Sequence, residues 1–183
     1  MARDRSVLNQ LAQNVQSCVV AEVAGRPDKR AEMVARVLKD RSPMEAIWMD
    51  LLLCSGVRVS EVIGLTRERV LTPRTALILG VKGSADRIVT LNYSPPFTDL
   101  SLADWWRWEN VSNRWTIYRM CKEYGIYEQV LGNRKLAVTH LGRHEFVSEL
   151  ERQGLSPEQI QKLIGHRSLK STQWYLTHKP ITK

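Results

Sequence analysis

One apolar segment with a clear helix start signal most constrains how this chain can fold. Ser42-Pro43-Met44-Glu45 is a capping-box pattern, with serine at the N-cap position, proline at N1 and glutamate at N3. The helix that it opens is rich in large apolar side chains, namely Ile47, Trp48, Leu51, Leu52 and Leu53. A helix with so few polar positions is typical of a protein interior. We therefore predict that this helix is buried.

Helical patterns dominate the rest of the chain, and β structure is confined to one short region. Helices are predicted at about residues 6–24, 28–38, 102–108, 114–124, 140–153 and 172–176, with two more beginning near residues 60 and 157. Two short β segments, at residues 76–81 and 87–92, are joined by a glycine-containing loop at residues 82–86. The predicted class is mostly α with one small antiparallel β-sheet or hairpin.

The predicted elements divide the chain into two parts. Residues 1–41 are expected to form amino-terminal helices, or a linker, that lead into a domain spanning residues 42–183. At 183 residues the chain is long enough for one domain with a real core and short for two. We therefore expect one compact domain overall.

The chain is basic and shows no targeting signal. Its 27 Lys and Arg residues against 19 Asp and Glu residues give a net charge of +8, and this excess favours a polyanionic partner such as DNA or RNA. Cys18, Cys54 and Cys121 lack metal-ligand spacing and are expected to be reduced thiols. No signal peptide is apparent, and no apolar run is long enough to span a bilayer. These features predict a soluble, cytoplasmic protein that does not contact a membrane.

Five side chains supply groups suited to binding and attacking a phosphodiester. Arg58 and Arg143 provide two planar guanidiniums that stay charged and can pair bidentately with phosphate oxygens. His140 and Arg143 lie three residues apart, so they share one face of a helix if that segment is helical. His166 adds a second imidazole, and Tyr175 adds a hydroxyl group that can act as a covalent nucleophile.

Four segments resemble the motifs of tyrosine recombinases, the phage integrase family, in the same order along the chain. Residues 52–65 resemble the segment with the family's first arginine, and residues 81–91 resemble its β-hairpin with a catalytic lysine. Residues 139–146 resemble the His-x-x-Arg box, and residues 163–175 resemble the Gly-His segment with the nucleophilic tyrosine. Each motif alone is a weak signal, but six matched positions in order are a strong one: Arg58, Lys82, His140, Arg143, His166 and Tyr175. The resemblance covers about residues 42–178 and implies the carboxyl-terminal catalytic domain of such an enzyme.

The charges and the resemblance together imply a role for each group. The two arginines would stabilise negative charge on the non-bridging phosphate oxygens, and His140 is the candidate base for Tyr175. The resemblance assigns protonation of the leaving 5′-oxygen to Lys82 and a hydrogen bond to the scissile phosphate to His166. The implied product is a 3′-phosphotyrosyl link, which a free 5′-hydroxyl group can reverse or join to another strand.

Two further residues are expected to support the site, and two positions depart from the family pattern. Glu61 lies three residues after Arg58 and is expected to fix that guanidinium or a neighbouring one. His144 is expected to pack against or orient its neighbours. Gly142 stands where leucine is usual, and Glu145 stands where a small hydroxyl residue is common. Glycine inside a helix costs about 0.5–1 kcal/mol relative to alanine.

A zinc site is an alternative interpretation of the histidines. His144 lies four residues after His140, and His166 would supply a third ligand. The usual protease motif fails, because Ser148 occupies the position of the second histidine in His-Glu-x-x-His. We therefore expect no metal, and the resemblance implies a reaction that requires neither ATP nor another cofactor.

The resemblance implies site-specific DNA recombination or integration, with duplex DNA and other recombinase protomers as partners. A tetramer on DNA is expected, and no small-molecule substrate is expected. Two alternatives stay open: a telomere resolvase or type IB topoisomerase with the same groups, and a catalytically silent DNA-binding relative that regulates recombination. Family members usually carry a separate core-binding domain, whereas only about 40 residues precede the motifs here. The chain is therefore either a catalytic fragment or a naturally short recombinase.

Overall fold

The computed structural model describes residues 29–111, 114–126, 129–131, 134–136 and 138–178, so the helix predicted at residues 6–24 lies outside the described residues. Within these ranges the α-helices are α1 (Lys29–Asp40), α2 (Pro43–Cys54), α3 (Val59–Ile63), α4 (Leu102–Asn110), α5 (Arg114–Glu123), α6 (Val138–Arg152), α7 (Pro157–Ile164) and α8 (Leu169–Thr177). The strands are β1 (Val70–Thr72), β2 (Thr75–Ile78), β3 (Arg87–Thr90), β4 (Gln129–Leu131) and β5 (Arg134–Leu136). The mostly α class with a small antiparallel sheet is confirmed. Of the helices described, none combines the length and apolar character that crossing a membrane requires.

Helix α2 is the buried helix that the apolar segment predicts. Its N-cap is Ser42, whose side chain accepts a hydrogen bond from the backbone N–H of Glu45 at 3.3 Å, and a proline is the first helical residue. Every residue from 44 to 54 is buried. The buried carboxylate of Asp50 accepts hydrogen bonds from the successive backbone N–H groups of residues 92–94, at 2.8–2.9 Å. This carboxylate therefore holds the loop after β3 against the central helix.

The three-stranded sheet has the order β1-β2-β3, and its neighbouring strands are antiparallel. β2 and β3 pair from Thr75 opposite Thr90 to Ile78 opposite Arg87. They correspond to the two predicted β segments, although both end earlier than predicted. The sequence did not indicate β1 or the hairpin of β4 and β5, because three residues are too few to show an alternating pattern.

Other helices cover α2 and position the amino-terminal half of α6 beside it. Helix α1 contributes two fully buried valines, Val34 and Val37, to the apolar cluster around α2. Helix α6 approaches α2 closely because Gly142 has no side chain: a Cβ atom there would lie 2.5 Å from the backbone oxygen of Leu52. The first half of α6, which carries Arg143, therefore lies against the end of α2.

Helices α6, α7 and α8 enclose a smaller apolar cluster. Its buried members are Val147, Leu150, Ile160 and Ile164, and Tyr175 packs against them while partly buried. Helix α7, predicted to begin near residue 157, begins at a capping box in which Ser156 and Gln159 bond to each other's backbone. This cluster fixes α8, which carries Tyr175, relative to α6 and α7.

Candidate active site

Arg58 lies between α2 and α3, where it forms the N-cap of α3. Glu61 contacts it twice: Oε2 accepts a hydrogen bond from the Arg58 backbone N–H at 2.9 Å, and Oε1 lies 3.5 Å from Nη1 of the guanidinium. The Glu61 side chain is fully buried, whereas 18% of the Arg58 side chain is exposed. The buried carboxylate thus anchors the backbone of Arg58 and leaves part of its side chain open to solvent.

Glu61 also binds a second arginine, Arg87, the first residue of β3. Nη1 and Nη2 of Arg87 donate hydrogen bonds to Oε1 and Oε2 of Glu61 at 3.2 and 2.8 Å. Burial would raise the pKa of the Glu61 carboxyl, but the hydrogen bond and charge of Arg87, with smaller contributions from Arg58 and Arg143, lower it overall. Glu61 is therefore ionised at neutral pH and compensates part of the positive charge gathered here.

The sequence analysis did not identify Arg87 as part of this region. One usable signal was present, because Arg87 and Val89 lie two residues apart in a predicted strand and so face the same side of the sheet. Val89 is buried, and an arginine that faces the core requires a partner. The identity of that partner, Glu61, is given only by the folded chain, since the two lie 26 residues apart.

Arg143 lies on α6 and is almost completely buried, with 1% of its surface exposed. Its Nη1 donates a hydrogen bond to the backbone oxygen of Gly56 at 2.7 Å, and its Nη2 donates to that of Ile164. Gly56 has φ +61°, a conformation that favours glycine. Burial, followed by the charges of Arg58 and Arg87, lowers the pKa of Arg143 to about 9, so this side chain stays protonated at neutral pH.

The two arginines of the recombinase motifs therefore differ in accessibility. The sequence analysis treats both as phosphate ligands. In the structure Arg58 is partly exposed, whereas Arg143 is enclosed and bonded to two backbone carbonyls. The guanidinium of Arg143 is therefore far less accessible to a phosphate in this structure than that of Arg58.

Lys82 is exposed in the loop between β2 and β3, with a left-handed backbone conformation at φ +50°. The same loop contacts the turn after α7: the backbone N–H of Ala85 donates to the oxygen of Gly165 at 2.8 Å, and Ser84 forms an isolated β-bridge with His166. Gly165 is the C-cap of α7 with φ +70°, and a Cβ atom there would lie 2.9 Å from the oxygen of Ala85. The hairpin that carries Lys82 is therefore attached to the segment that carries His166.

His166 is buried, and its Nδ1 lies 3.1 Å from Oγ1 of Thr172. Burial, followed by the charges of Arg143 and Arg58, lowers the pKa of His166 to about 3. This imidazole is therefore neutral at physiological pH. A neutral imidazole still carries one N–H group, which can donate a hydrogen bond to a phosphate oxygen.

His140 lies in the first turn of α6 and is exposed. Its pKa is nevertheless lowered, first by desolvation from the surrounding protein atoms and then by the charges of Arg58, Arg143, Arg114 and Lys82. Several cations thus surround one imidazole. In its neutral form His140 can accept a proton from a nearby hydroxyl group.

Tyr175 lies on α8 beside two histidines. Its ring centroid lies 4.2 Å from that of His144, at an interplanar angle of 34°, and 5.2 Å from that of His166. Neither ring nitrogen of the buried His144 has a hydrogen-bond partner in the described structure. Burial, followed by the charge of His140, lowers the pKa of His144 to about 4. His144 therefore packs against the tyrosine as a neutral ring.

The structure brings the six residues of the recombinase motifs into one region: Arg58, Lys82, His140, Arg143, His166 and Tyr175. Glu61 and His144 lie in the same region: Glu61 contacts Arg58, and His144 contacts Tyr175. Across the described ranges, no three His, Cys, Asp or Glu side chains are arranged to hold a metal ion. In such an arrangement the cations can bind a phosphate ester, and the phenol can act as a nucleophile toward it.

The relatives found by comparison with known proteins include tyrosine recombinases. The phage integrase family matches residues 109–180, which include α6, α7 and α8. Tyrosine recombinase XerD of Rhizobium meliloti (strain 1021) is 26% identical over 171 residues, covering 87% of this chain and 54% of XerD. Tyrosine recombinase XerA of Thermococcus kodakarensis is 30% identical over 140 residues, covering 68% of this chain and 48% of XerA. The chain thus spans about half the length of these curated relatives.

Solved structures with related folds include recombinases and integrases. The crystal structure of XerA recombinase superposes with a TM-score of 0.56 at 24% identity, over 81% of this chain and 58% of that chain. The catalytic domain of bacteriophage HP1 integrase superposes with a TM-score of 0.50 at 19% identity, over 87% of this chain and 90% of that chain. These similarities show the fold. The family match and the curated relatives show that this chain belongs to the tyrosine recombinase, or phage integrase, family.

Proposed function

We propose that this domain cleaves and rejoins strands of duplex DNA at specific sites through a 3′-phosphotyrosyl intermediate formed by Tyr175. One observation carries the proposal: the Tyr175 ring lies beside His166, a buried imidazole that is close enough to Arg143 and Arg58 for their charges to lower its pKa. A phenol placed there is next to the groups that bind a phosphodiester and stabilise the charge of its transition state. The match to the phage integrase family supports the same assignment.

In the proposed reaction, the Tyr175 oxygen attacks the scissile phosphorus, a new O–P bond forms, and the bond from phosphorus to the 5′-oxygen breaks. His140 takes the phenolic proton, because its lowered pKa favours the neutral imidazole. Lys82 gives a proton to the departing 5′-oxygen from its exposed loop. Attack of a 5′-hydroxyl group on the phosphotyrosyl bond reverses these steps, so the strands are rejoined without ATP.

The difference in accessibility between the two arginines suggests an order of events. Arg58 meets the phosphate first, because its side chain is partly exposed. Arg143 then offers the phosphate an N–H group that no backbone oxygen accepts, such as its Nε–H, which has no hydrogen-bond partner in the described structure. We expect Arg58→Ala or Arg143→Ala to lower the cleavage rate by roughly 10²–10³, the loss typical of one oxyanion-stabilising donor.

The proposed partners are duplex DNA and further protomers of the same recombinase. Solved structures that share this fold include the Tn1549 transposon integrase in complex with transposon right end DNA. What that protein binds supports DNA as the partner here. A tetramer on DNA, formed in the cytoplasm, is our expectation for strand exchange.

The proposal is tested by covalent trapping on a nicked duplex that prevents religation. Incubation followed by a denaturing gel detects a protein–DNA adduct, and a gel-shift assay measures binding. Tyr175→Phe should abolish the adduct and leave DNA binding intact, because only the attacking oxygen is removed. Tyr93→Phe is a matched control, since Tyr93 is an exposed tyrosine on the loop after β3, and it should keep both activities.

Two outcomes would contradict the proposal. An adduct that persists in Tyr175→Phe would assign the nucleophile to another residue. Tight DNA binding with no adduct in the wild-type protein would favour the catalytically silent DNA-binding alternative. Recombination of paired sites, compared with relaxation of supercoiled plasmid, then separates a recombinase from a type IB topoisomerase.

A further inference from the structure

We infer that Arg87 is a positioning residue that keeps the guanidinium of Arg58 free for phosphate by binding Glu61; this inference rests on the proposed function. Arg87 is itself 8% exposed, so it lies beneath the site and not at its surface. It can therefore act on Arg58 through Glu61 without touching DNA.

Both oxygens of Glu61 are shared between Arg58 and Arg87. Oε2 accepts hydrogen bonds from Nη2 of Arg87 at 2.8 Å and from the backbone N–H of Arg58 at 2.9 Å. Oε1 accepts from Nη1 of Arg87 at 3.2 Å and lies 3.5 Å from Nη1 of Arg58. Of the two guanidiniums, that of Arg87 makes the shorter and the bidentate contact. The charge of Glu61 is therefore compensated mainly by Arg87.

Removal of Arg87 would leave Arg58 as the cation nearest to the buried carboxylate of Glu61. An unpaired buried carboxylate is strongly unfavourable, so it would draw Arg58 into a full ion pair. That pair would compete with phosphate for the same guanidinium, because both ligands use the same N–H groups. Arg87 thus lets Glu61 cap the backbone of Arg58 while the charge of Arg58 stays available.

Arg87 also supports the turn that precedes His166. A Cβ atom at Gly165 would lie 3.1 Å from Cδ and 3.3 Å from Nη1 of Arg87, so the arginine packs directly against this turn. One buried side chain therefore joins the start of β3 to the start of α3 and the end of α7. Along the chain, the start of β3 follows Lys82, the start of α3 follows Arg58, and the end of α7 precedes His166.

The test measures Arg87→Gln and Arg87→Lys in the wild-type chain and in an Arg58→Ala background. Adduct formation on the nicked duplex gives the rate, and urea unfolding confirms that each variant is folded. We expect Arg87→Gln to lower the rate about tenfold in the wild-type background and about twofold or less in the Arg58→Ala background, since members of one ion-pair network are not additive. Arg87→Lys keeps the charge but not the bidentate geometry, so it should lower the rate by less than Arg87→Gln does. This decrease should again be seen only when Arg58 is present.

Binding of inorganic phosphate gives the same comparison without requiring catalysis. Titration of each variant is followed through its arginine Nε–Hε NMR signals. Arg87→Gln should weaken phosphate binding when Arg58 is present and leave it unchanged in the Arg58→Ala background. If wild-type protein forms no adduct but phosphate binding follows this pattern, the proposed function is wrong and the inference about Arg87 is supported.

Arg74→Gln is the matched control, because Arg74 precedes β2 in the same sheet, is exposed and donates its guanidinium hydrogen bond to the backbone oxygen of Ser94. It should leave the rate and phosphate binding unchanged in both backgrounds. Equal losses from Arg87→Gln in both backgrounds would overturn the inference, since Arg87 would then support only the fold. If Arg87→Gln does not fold, the Arg87→Lys variant provides the test. The inference is overturned if Arg87→Lys reacts at the wild-type rate, or if it loses the same fraction of the rate with and without Arg58.

Discussion

His144 and His166 are buried beside the Tyr175 ring, and their pKa values fall to about 4 and about 3. Burial is the main cause in both cases, and nearby positive charge adds to it. An ordinary histidine has a pKa of about 6.5 and would be partly charged at neutral pH. The folded environment thus keeps both imidazoles neutral, so they add no positive charge to a region that already holds several arginines.

Replacement of His144 by phenylalanine should make the fold more resistant to acid. Between about pH 6.5 and about pH 4 the unfolded chain protonates this histidine and the folded protein does not. Stability therefore falls as the pH is lowered through that window, and His144→Phe should reduce the slope by up to about 1.4 kcal/mol per pH unit. Urea unfolding at several values between pH 4 and pH 7 measures the change.

The same variant provides an internal control at neutral pH. Neither ring nitrogen of His144 has a hydrogen-bond partner in the described structure, so phenylalanine loses no hydrogen bond and keeps a ring against Tyr175. Stability at pH 7 should be equal or higher. An unchanged acid slope would show that His144 is protonated in the folded protein and would contradict this account.

Among the secondary-structure elements, the contact between α2 and α6 depends on a single missing side chain. By helix propensity alone, Gly142 is unfavourable within α6. The structure gives the compensation, because a Cβ atom at this position would lie 2.5 Å from the backbone oxygen of Leu52 and 3.1 Å from Cδ2 of Leu53. The glycine allows α6 to bring His140 and Arg143 close to the segment that carries Arg58.

Gly142→Ala should therefore destabilise the fold despite the higher helix propensity of alanine. The added methyl group must push α6 away from α2, and overpacking of this kind costs about 1–3 kcal/mol. Gly64→Ala is the control, since φ at Gly64 is −79° and its nearest contact, the oxygen of Ser60, lies at 3.3 Å. That change should cost less than about 1 kcal/mol. Urea unfolding of both variants tests the difference, and a stabilised Gly142→Ala protein would contradict the packing explanation.

For the molecule as a whole, charge is the property most relevant to DNA. The chain carries a net charge of +8, and the site itself gathers several arginines around the buried carboxylate of Glu61. Most contacts between proteins and DNA are made to phosphates, and these contacts orient the protein without reading sequence. We therefore expect the domain to bind duplex DNA mainly through charge.

DNA affinity should fall steeply as salt concentration rises. A footprint of about five phosphates predicts a slope of roughly −4.5 in a plot of log K against log salt, and a loss of about 10²–10³ in affinity between 50 and 200 mM. Fluorescence anisotropy with a labelled duplex measures this slope. Tyr175→Phe should give the same slope, because the change removes no charge. Affinity that is insensitive to salt would contradict a mainly electrostatic interface.

Short-range patterns in the sequence specify most of the helices. The starts of α2 and α7 follow from Ser42 and Ser156, whose side chains bond to backbone N–H groups three residues later. Such signals can be read in advance, because a helix cap and a hydrophobic period involve only neighbouring residues. The motif residues were also named from the sequence, and their assigned roles stay predictions.

Long-range packing produces the features that could not be read in advance. The pairing of Arg87 with Glu61 joins residues 26 apart, and the burial of Arg143 depends on carbonyl groups in two other segments. The need for glycine at position 142 depends on where α2 lies. Such contacts form between segments that meet only when the chain is folded. A hydrophobic period or a helix cap involves neighbouring residues only, so it does not indicate which distant segments will meet. Short-range hydrogen bonding and hydrophobic period therefore define the helices, whereas close packing defines the environment of each catalytic candidate.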